Sequence, residues 1–251
     1  MPHFDLPHVP RNVSEQLHIH NKMDPHTHAS RLAEVILGGQ DGLVNTLGVI
    51  LGVAAATNDP RIVLAAGMAA TFAESVSMGA VAYTSTLAEN DLYKSEKERE
   101  YRHIRLVPEL EVEEIRKVYA SKGFEGEILE KIVEVITSNP DVWVEVMMSE
   151  EHQLTPPDRR GGAIKSALVV GIAAIVGSLI PLAPFFLVPV GMSMILAIVI
   201  SALTLFAVGA YKARITVGHP GKSGLEMAVI GTLSALVGYG VGLLFKVPVV
   251  P

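Results

Sequence analysis

Five long apolar runs and one long charged run divide the chain. The apolar runs extend from Ala33 to Thr57, Ile62 to Ala88, Ala163 to Phe186, Val188 to Ala210 and Leu225 to Phe245. A hydrocarbon core ~30 Å thick takes about 20 mainly apolar residues in helix, so each run predicts a membrane span. The polar turn "NDPR" (58–61) stops the first span at its proline and makes a helical hairpin with the second. "PLAP" (181–184) breaks the helix between the third and fourth.

Asn90 to Arg160 carries too much charge to enter lipid and predicts a soluble insert. Its apolar periodicity is helical throughout. "EVEEIRKVYASKG" ends on Gly123 as a C-cap, "EGEILEKIVEVITS" follows, and Asn139 with Pro140 caps and opens "DVWVEVMMSEEH". No Gly or Pro interrupts "YTSTLAENDLYKSEKEREYRHIR", so the second span is expected to run into the insert as one helix. The expected fold class is all-α, a polytopic membrane protein with five transmembrane helices and a helical insert between the second and third. Its segments are a tail (1–30), spans one and two (31–89), the insert (90–160) and spans three to five (161–251). Gly48, Gly52 and Ala56, and likewise Gly238 and Gly242, recur at spacing four, which lets helix backbones approach closely in lipid.

Composition supports this partition: 49% hydrophobic against 18% charged residues is too apolar for an ordinary soluble domain. A net charge of −6 argues against a nucleic-acid partner, which needs clustered Lys and Arg. With no cysteine, disulfides and thiolate metal sites are excluded. The first thirty residues lack the basic stub and short apolar core of a signal peptide. Arg31, Arg159, Arg160, Lys165, Lys212, Arg214 and Lys222 fall on one expected side, against Arg61 and Lys246 on the other. By the positive-inside rule, the N-terminus and the insert are expected in the cytoplasm and the C-terminus outside. Without a visible targeting segment, a prokaryotic cell membrane is the first expectation and a vacuole-type membrane the second.

Ionisable residues inside the spans point to function, because a charge at mid-membrane costs several kcal/mol and faces a bundle interior or an ion path. In "GGQDGLVNTLG", Asp41 has Glu34 seven residues before it and Asn45 four after, on roughly one helical face. In "FAESVSMGA", Glu74 and Met78 are an i, i+4 pair, with Ser75 and Ser77 beside them. A thioether has no exchangeable proton, so a carboxylate with a methionine is not an acid–base pair. It is a ligand set for borderline transition ions such as Fe, Mn, Co or Zn, in preference to Mg and Ca. The alternatives, which carry less weight, are that Met78 fills the core and that Asp41 makes an interhelical hydrogen bond or salt bridge.

The insert repeats the theme. Glu100 with His103, and Glu111 with Glu114, are i, i+3 pairs, and "MMSEE" adds Met147, Met148, Glu150 and Glu151. Carboxylates converging from several helices build di-iron and di-manganese sites, although a solvated acidic face has the same composition. His3, His8, His18, His20, His26 and His28 crowd the tail, as a loose metal binder or a neutral disordered segment.

The chain resembles the vacuolar iron transporter family of divalent-metal transporters, which includes nodulin-like members. The resemblance runs from about Arg31 to Val247, through "GGQDGLVNTLGVILGVAAA", "SVSMGAVAY", "PELEVEEI", "NPDVWVEVMMSEE" and "GGAIKSALVVGIAAIVGSLIPLAPF" in the same order. It implies a five-helix homodimer that exchanges cytosolic Fe(II), and often Mn(II), for protons, along a pathway at the dimer interface. The metal ions are then substrates, and no prosthetic group is expected. The family's first-span aspartate matches Asp41 and its second-span methionine matches Met78. Its two Glu-x-x-Glu pairs fall on Glu100 with position 103 and on Glu111 with Glu114, and its Met-Met and following glutamate fall on Met147, Met148 and Glu151. There are two departures. Position 103 is His, which keeps a ligand but adds pH sensitivity near roughly 6 to 7. The second-span glutamate of plant-type members falls at Ala70, and Glu74 is taken as its displaced substitute.

Two rival functions use the same residues. A membrane-tethered ferritin-like ferroxidase, or a metal sensor, would use Glu100 and His103 as half of a Glu-x-x-His site. A non-transporting scaffold would leave the buried acids of two spans without a role.

Overall fold

The computed structural model describes residues 29–156, 162–216 and 218–245, which are helical and include no strand. The helices in chain order are α1 (Ala29–Thr57), α2 (Pro60–Leu106), α3 (Pro108–Ser121), α4 (Gly126–Thr137), α5 (Pro140–Val146), α6 (Gly162–Leu182), α7 (Val190–Ile215) and α8 (Pro220–Leu244). A π-turn, Met147–Glu151, continues α5, and a 3₁₀ turn, Ala183–Phe186, continues α6. Five helices are long and apolar enough to cross a bilayer: α1, α2, α6 with its 3₁₀ turn, α7 and α8. The His-rich tail lies outside the described residues.

The chain forms two compact units, one taking in the spans up to Met78 and again from Val169, the other Gly79–Leu168. In the first, Leu47, Ile50, Leu51 and Ala54 of α1 pack with Val63, Leu182, Phe185, Val190, Ala197 and Ala235. Val76, Ile172, Ile195, Leu203 and Val237 stay exposed, as apolar side chains do when the surrounding solvent is lipid. Glycines set close helix contacts in this unit. A methyl group added at Gly238 or Gly242 of α8 would run into the carbonyl of Gly48 or Gly52 on α1, so only glycine permits this approach.

The expected hairpin turn and proline break are both present. Asp59 accepts from the Arg61 N–H at 2.8 Å at the start of α2, and α6 ends through Pro181 and Pro184. The last two spans differ at their ends from the expected limits. α7 continues past Ala210 to Ile215 and carries Lys212 and Arg214 in its last turn, while α8 begins at Pro220. Basic side chains at a helix C-terminus offset its dipole, which extends helix through sequence that hydropathy alone rejects.

In the second unit, α2 proceeds unbroken to Leu106, where Pro108 forces a new start as the first-turn proline of α3. Gly123, with φ of +92°, receives the end of α3, the left-handed position that glycine fills without strain. Leu129, Val133 and Ile136 face inward from α4, at helical spacing, against Ile115, Trp143 and Met147. Each such burial is worth about 1.5–3 kcal/mol, which makes this the cohesive centre of the insert. The Asn139 side chain accepts from the Asp141 N–H at 3.0 Å, as its cap position requires. The expected single helix through His152 is corrected here: α-geometry ends at Val146 and widens into the π-turn.

Candidate metal-binding sites

Two clusters of ligand-type side chains form, one in each unit. In the spans, Asp41 on α1 and Glu74 on α2 are both half-buried, and the Glu74 carboxyl is within hydrogen-bonding reach of Asp41 and of Asn45. Ser75 donates to the Gly171 carbonyl at 2.9 Å, which ties α2 to α6 and fixes the rotation that turns Glu74 toward α1. Met78 lies one helical turn beyond Glu74 and is half-buried, Ser77 is exposed, and Glu34 is half-buried two turns before Asp41. Among the described residues no hydrogen bond or ion pair joins Glu34 or Met78 to the two carboxyls. Two carboxyls in contact away from bulk water repel each other unless a proton or a cation lies between them.

In the insert, Glu100 near the end of α2 and Glu111 at the start of α3 are brought together by the turn at Val107. They are 2% and 3% exposed, and His103 sits between them. His103 Nδ1 is 3.3 Å from Glu111 Oε1 and 3.8 Å from Glu100 Oε1. One donor atom from each of the three residues fits within a group 4.8 Å across. Ions of this class bind nitrogen and oxygen at about 2.0–2.2 Å, so a slight closing of the three side chains brings them to ligating distance. The Oε2 atoms of Glu100 and Glu111 are both buried without a hydrogen-bond donor. A divalent cation suits this donor chemistry, because it would satisfy both acceptors at once.

Burial first, and then the nearby Glu100, Glu114 and Glu151, push the Glu111 carboxyl up to about 7. Burial, followed by Glu114, also raises Glu151. Glu114 and Glu151 thus act electrostatically on the same centre, Glu114 half-buried and Glu151 more exposed. Met147 and Met148 are each 1% exposed; Met147 belongs to the apolar cluster around Trp143, whereas Met148 lies outside it. Glu150 points elsewhere and pairs with Lys122.

Sequence reasoning passed over His152. Its Nε2 lies 3.0 Å from Glu100 Oε1, across fifty-two positions of chain. The available signal was a third ligand-type residue directly after the acids of "MMSEEH". The π-turn supplies the geometry: with an extra residue per turn, Met147 shares a face with both Glu151 and His152.

The VIT family model matches residues 32–243 of the chain. "Vacuolar iron transporter 1" of Tulipa gesneriana is 32% identical over 231 residues, covering 92% of this chain and 93% of its own. The protein of the same name from Arabidopsis thaliana is 34% identical over 207 residues, 82% of each chain. "Vacuolar iron transporter" of Plasmodium falciparum is 29% identical over 224 residues, 86% of this chain and 82% of its own.

Proposed function

Because the chain belongs to the VIT family, we propose that this multi-pass membrane metal transporter exchanges Fe(II), and Mn(II) with it, for protons. The meeting of the Asp41 and Glu74 carboxyls within the spans carries this reading. A cation arriving there from the cytosol displaces the proton that relieves their repulsion, and a proton arriving from the opposite side releases the cation. The Met78 thioether biases the site toward borderline transition ions over Mg and Ca. Asn45 is a polar side chain exposed within a span, a costly position in lipid that a second copy would cover. We therefore place the pathway of a homodimer on this face.

The insert faces the cytosol in this reading, following the basic residues beside the spans. Glu100, His103 and Glu111 bind the ion first, Glu114 and Glu151 add negative charge, and Met148 offers a soft ligand. The ferritin-like alternative fares worse. A site of that kind takes two Glu-x-x-His pairs, and the second imidazole near Glu100 comes from the π-turn instead.

The test is Fe(II) uptake into liposomes carrying the purified protein under an imposed pH gradient, with internal pH followed alongside. Antiport requires metal flux that follows the gradient and moves protons the other way. Flux indifferent to the gradient would replace exchange by a channel or uniporter. Oxygen consumption with Fe(II), without flux, would favour the ferroxidase.

A further inference from the structure

Glu100 is almost wholly buried, and its two oxygens differ. Oε1 has the His152 ring nitrogen at 3.0 Å, while Oε2 has no donor. The His152 ring is itself largely covered, with 25% of its side chain exposed, so solvent does not easily replace it in this contact. Its backbone is fixed as well. The His152 N–H donates to the Met147 carbonyl at 3.2 Å and the Leu154 N–H to the Met148 carbonyl at 2.9 Å. Between them, Gln153 turns the chain at a φ of +54°.

We infer that His152 is a positioning residue of the ion-capture site: by holding Glu100 Oε1 it fixes the rotation of a carboxylate that also faces His103 through that oxygen, and leaves the buried, partnerless Oε2 to a transition-metal ion bound with His103 and Glu111. The inference rests on the reading of the insert as a capture site. The two histidines have different tasks. His103 presents one nitrogen to both carboxylates, at 3.3 and 3.8 Å, and belongs to the group whose donor atoms lie within 4.8 Å. His152 meets Glu100 through Nε2 and is not part of that group. A long, rotatable glutamate held at one oxygen loses less freedom when an ion takes the other, and partners of this kind typically contribute 10- to 100-fold in metal affinity. The device supplements the carboxylate and methionine set with a residue that no ligand motif marks.

The experiment is a Co(II) titration of the full-length protein in detergent, read by d–d absorption and dissociation constant. It compares the unmodified protein with His152→Ala, His152→Gln and Glu111→Ala. Trp143, the chain's single tryptophan, is buried in the insert core and reports folding there. The expected result is about a 10- to 100-fold loss of affinity in His152→Ala. His152→Gln, whose amide can donate to the same oxygen, should recover most of that loss with an unchanged d–d band. Equal affinity in His152→Ala and the unmodified protein would overturn the inference. So would a Gln variant as weak as Ala with a shifted band, because His152 would then ligate the ion directly. If Trp143 fluorescence shows that His152→Ala unfolds the insert, the Gln variant decides, with retained affinity supporting positioning and lost affinity rejecting it. A Glu111→Ala titration identical to that of the unmodified protein would instead remove the capture reading itself.

Discussion

The acids in the spans and the acids in the insert solve different problems with similar side chains. Asp41 and Glu74 meet with few helpers: one amide, one hydroxyl-anchored helix and a methionine a turn away. Glu100 and Glu111 are surrounded by two imidazoles and two further carboxylates. In the reading proposed above, the sparse pair gives up its ion because an arriving proton can take the ion's place between the two carboxyls. A crowded site beside water can select and retain an ion. The comparison separates transit from capture, and mutations should separate them too.

The largest effect belongs to the spans. Asp41→Ala or Met78→Ala should reduce liposomal Fe(II) flux to that of protein-free vesicles, while Trp143 fluorescence shows an intact insert. Full flux from Asp41→Ala would remove the distinction between the sites. Next, Glu111→Ala should weaken metal capture at least about 10-fold, the loss that removal of an outer partner of a ligand already causes. Flux measured at saturating metal should change little, so the loss appears in the concentration dependence.

Proton competition gives the third prediction. Glu111 titrates near 7 in the fold against an ordinary value of 4.5, so the folded state binds the extra proton between those limits. The ion-free insert should therefore lose stability as pH rises from 4.5 through 7, in denaturation followed by Trp143. Metal binding runs the other way, weakening as pH falls through 7, because the ion needs the ionised carboxylate. The smallest effect is expected at Glu150. Held by Lys122, it should tolerate Glu150→Ala with capture within about twofold, as is usual for partly exposed ion pairs.

Much of the fold was legible along the chain because its signals are local. Twenty-residue apolar runs, a proline at a turn, a Gly-free stretch from Tyr83 to Arg105 and Asn139 before Pro140 each act within a few residues. The site was legible in residue types more than in pairings. Asp41 and Glu74 stood out because charge is rare in spans, yet their contact depends on how α2 is rotated, which Ser75 sets through a carbonyl ninety-six positions away. The π-turn has no propensity signature, since it differs from an α-turn by one residue and the cap at Asn139 opens either geometry. His152 was passed over for the same reason. Its partner lies on another helix, and the turn that aims it was not visible.

The glycine contact between α1 and α8 has a mechanical consequence. Where backbone rests directly on backbone at Gly48 with Gly238 and at Gly52 with Gly242, there are no side chains to act as rollers. The two helices then move as one body during any cycle of opening and closing. Asp41 lies on α1 and belongs to that body. In the transport reading proposed above, Asp41 is thereby the fixed side of the pair, and loosening the glycine seam would blur its position.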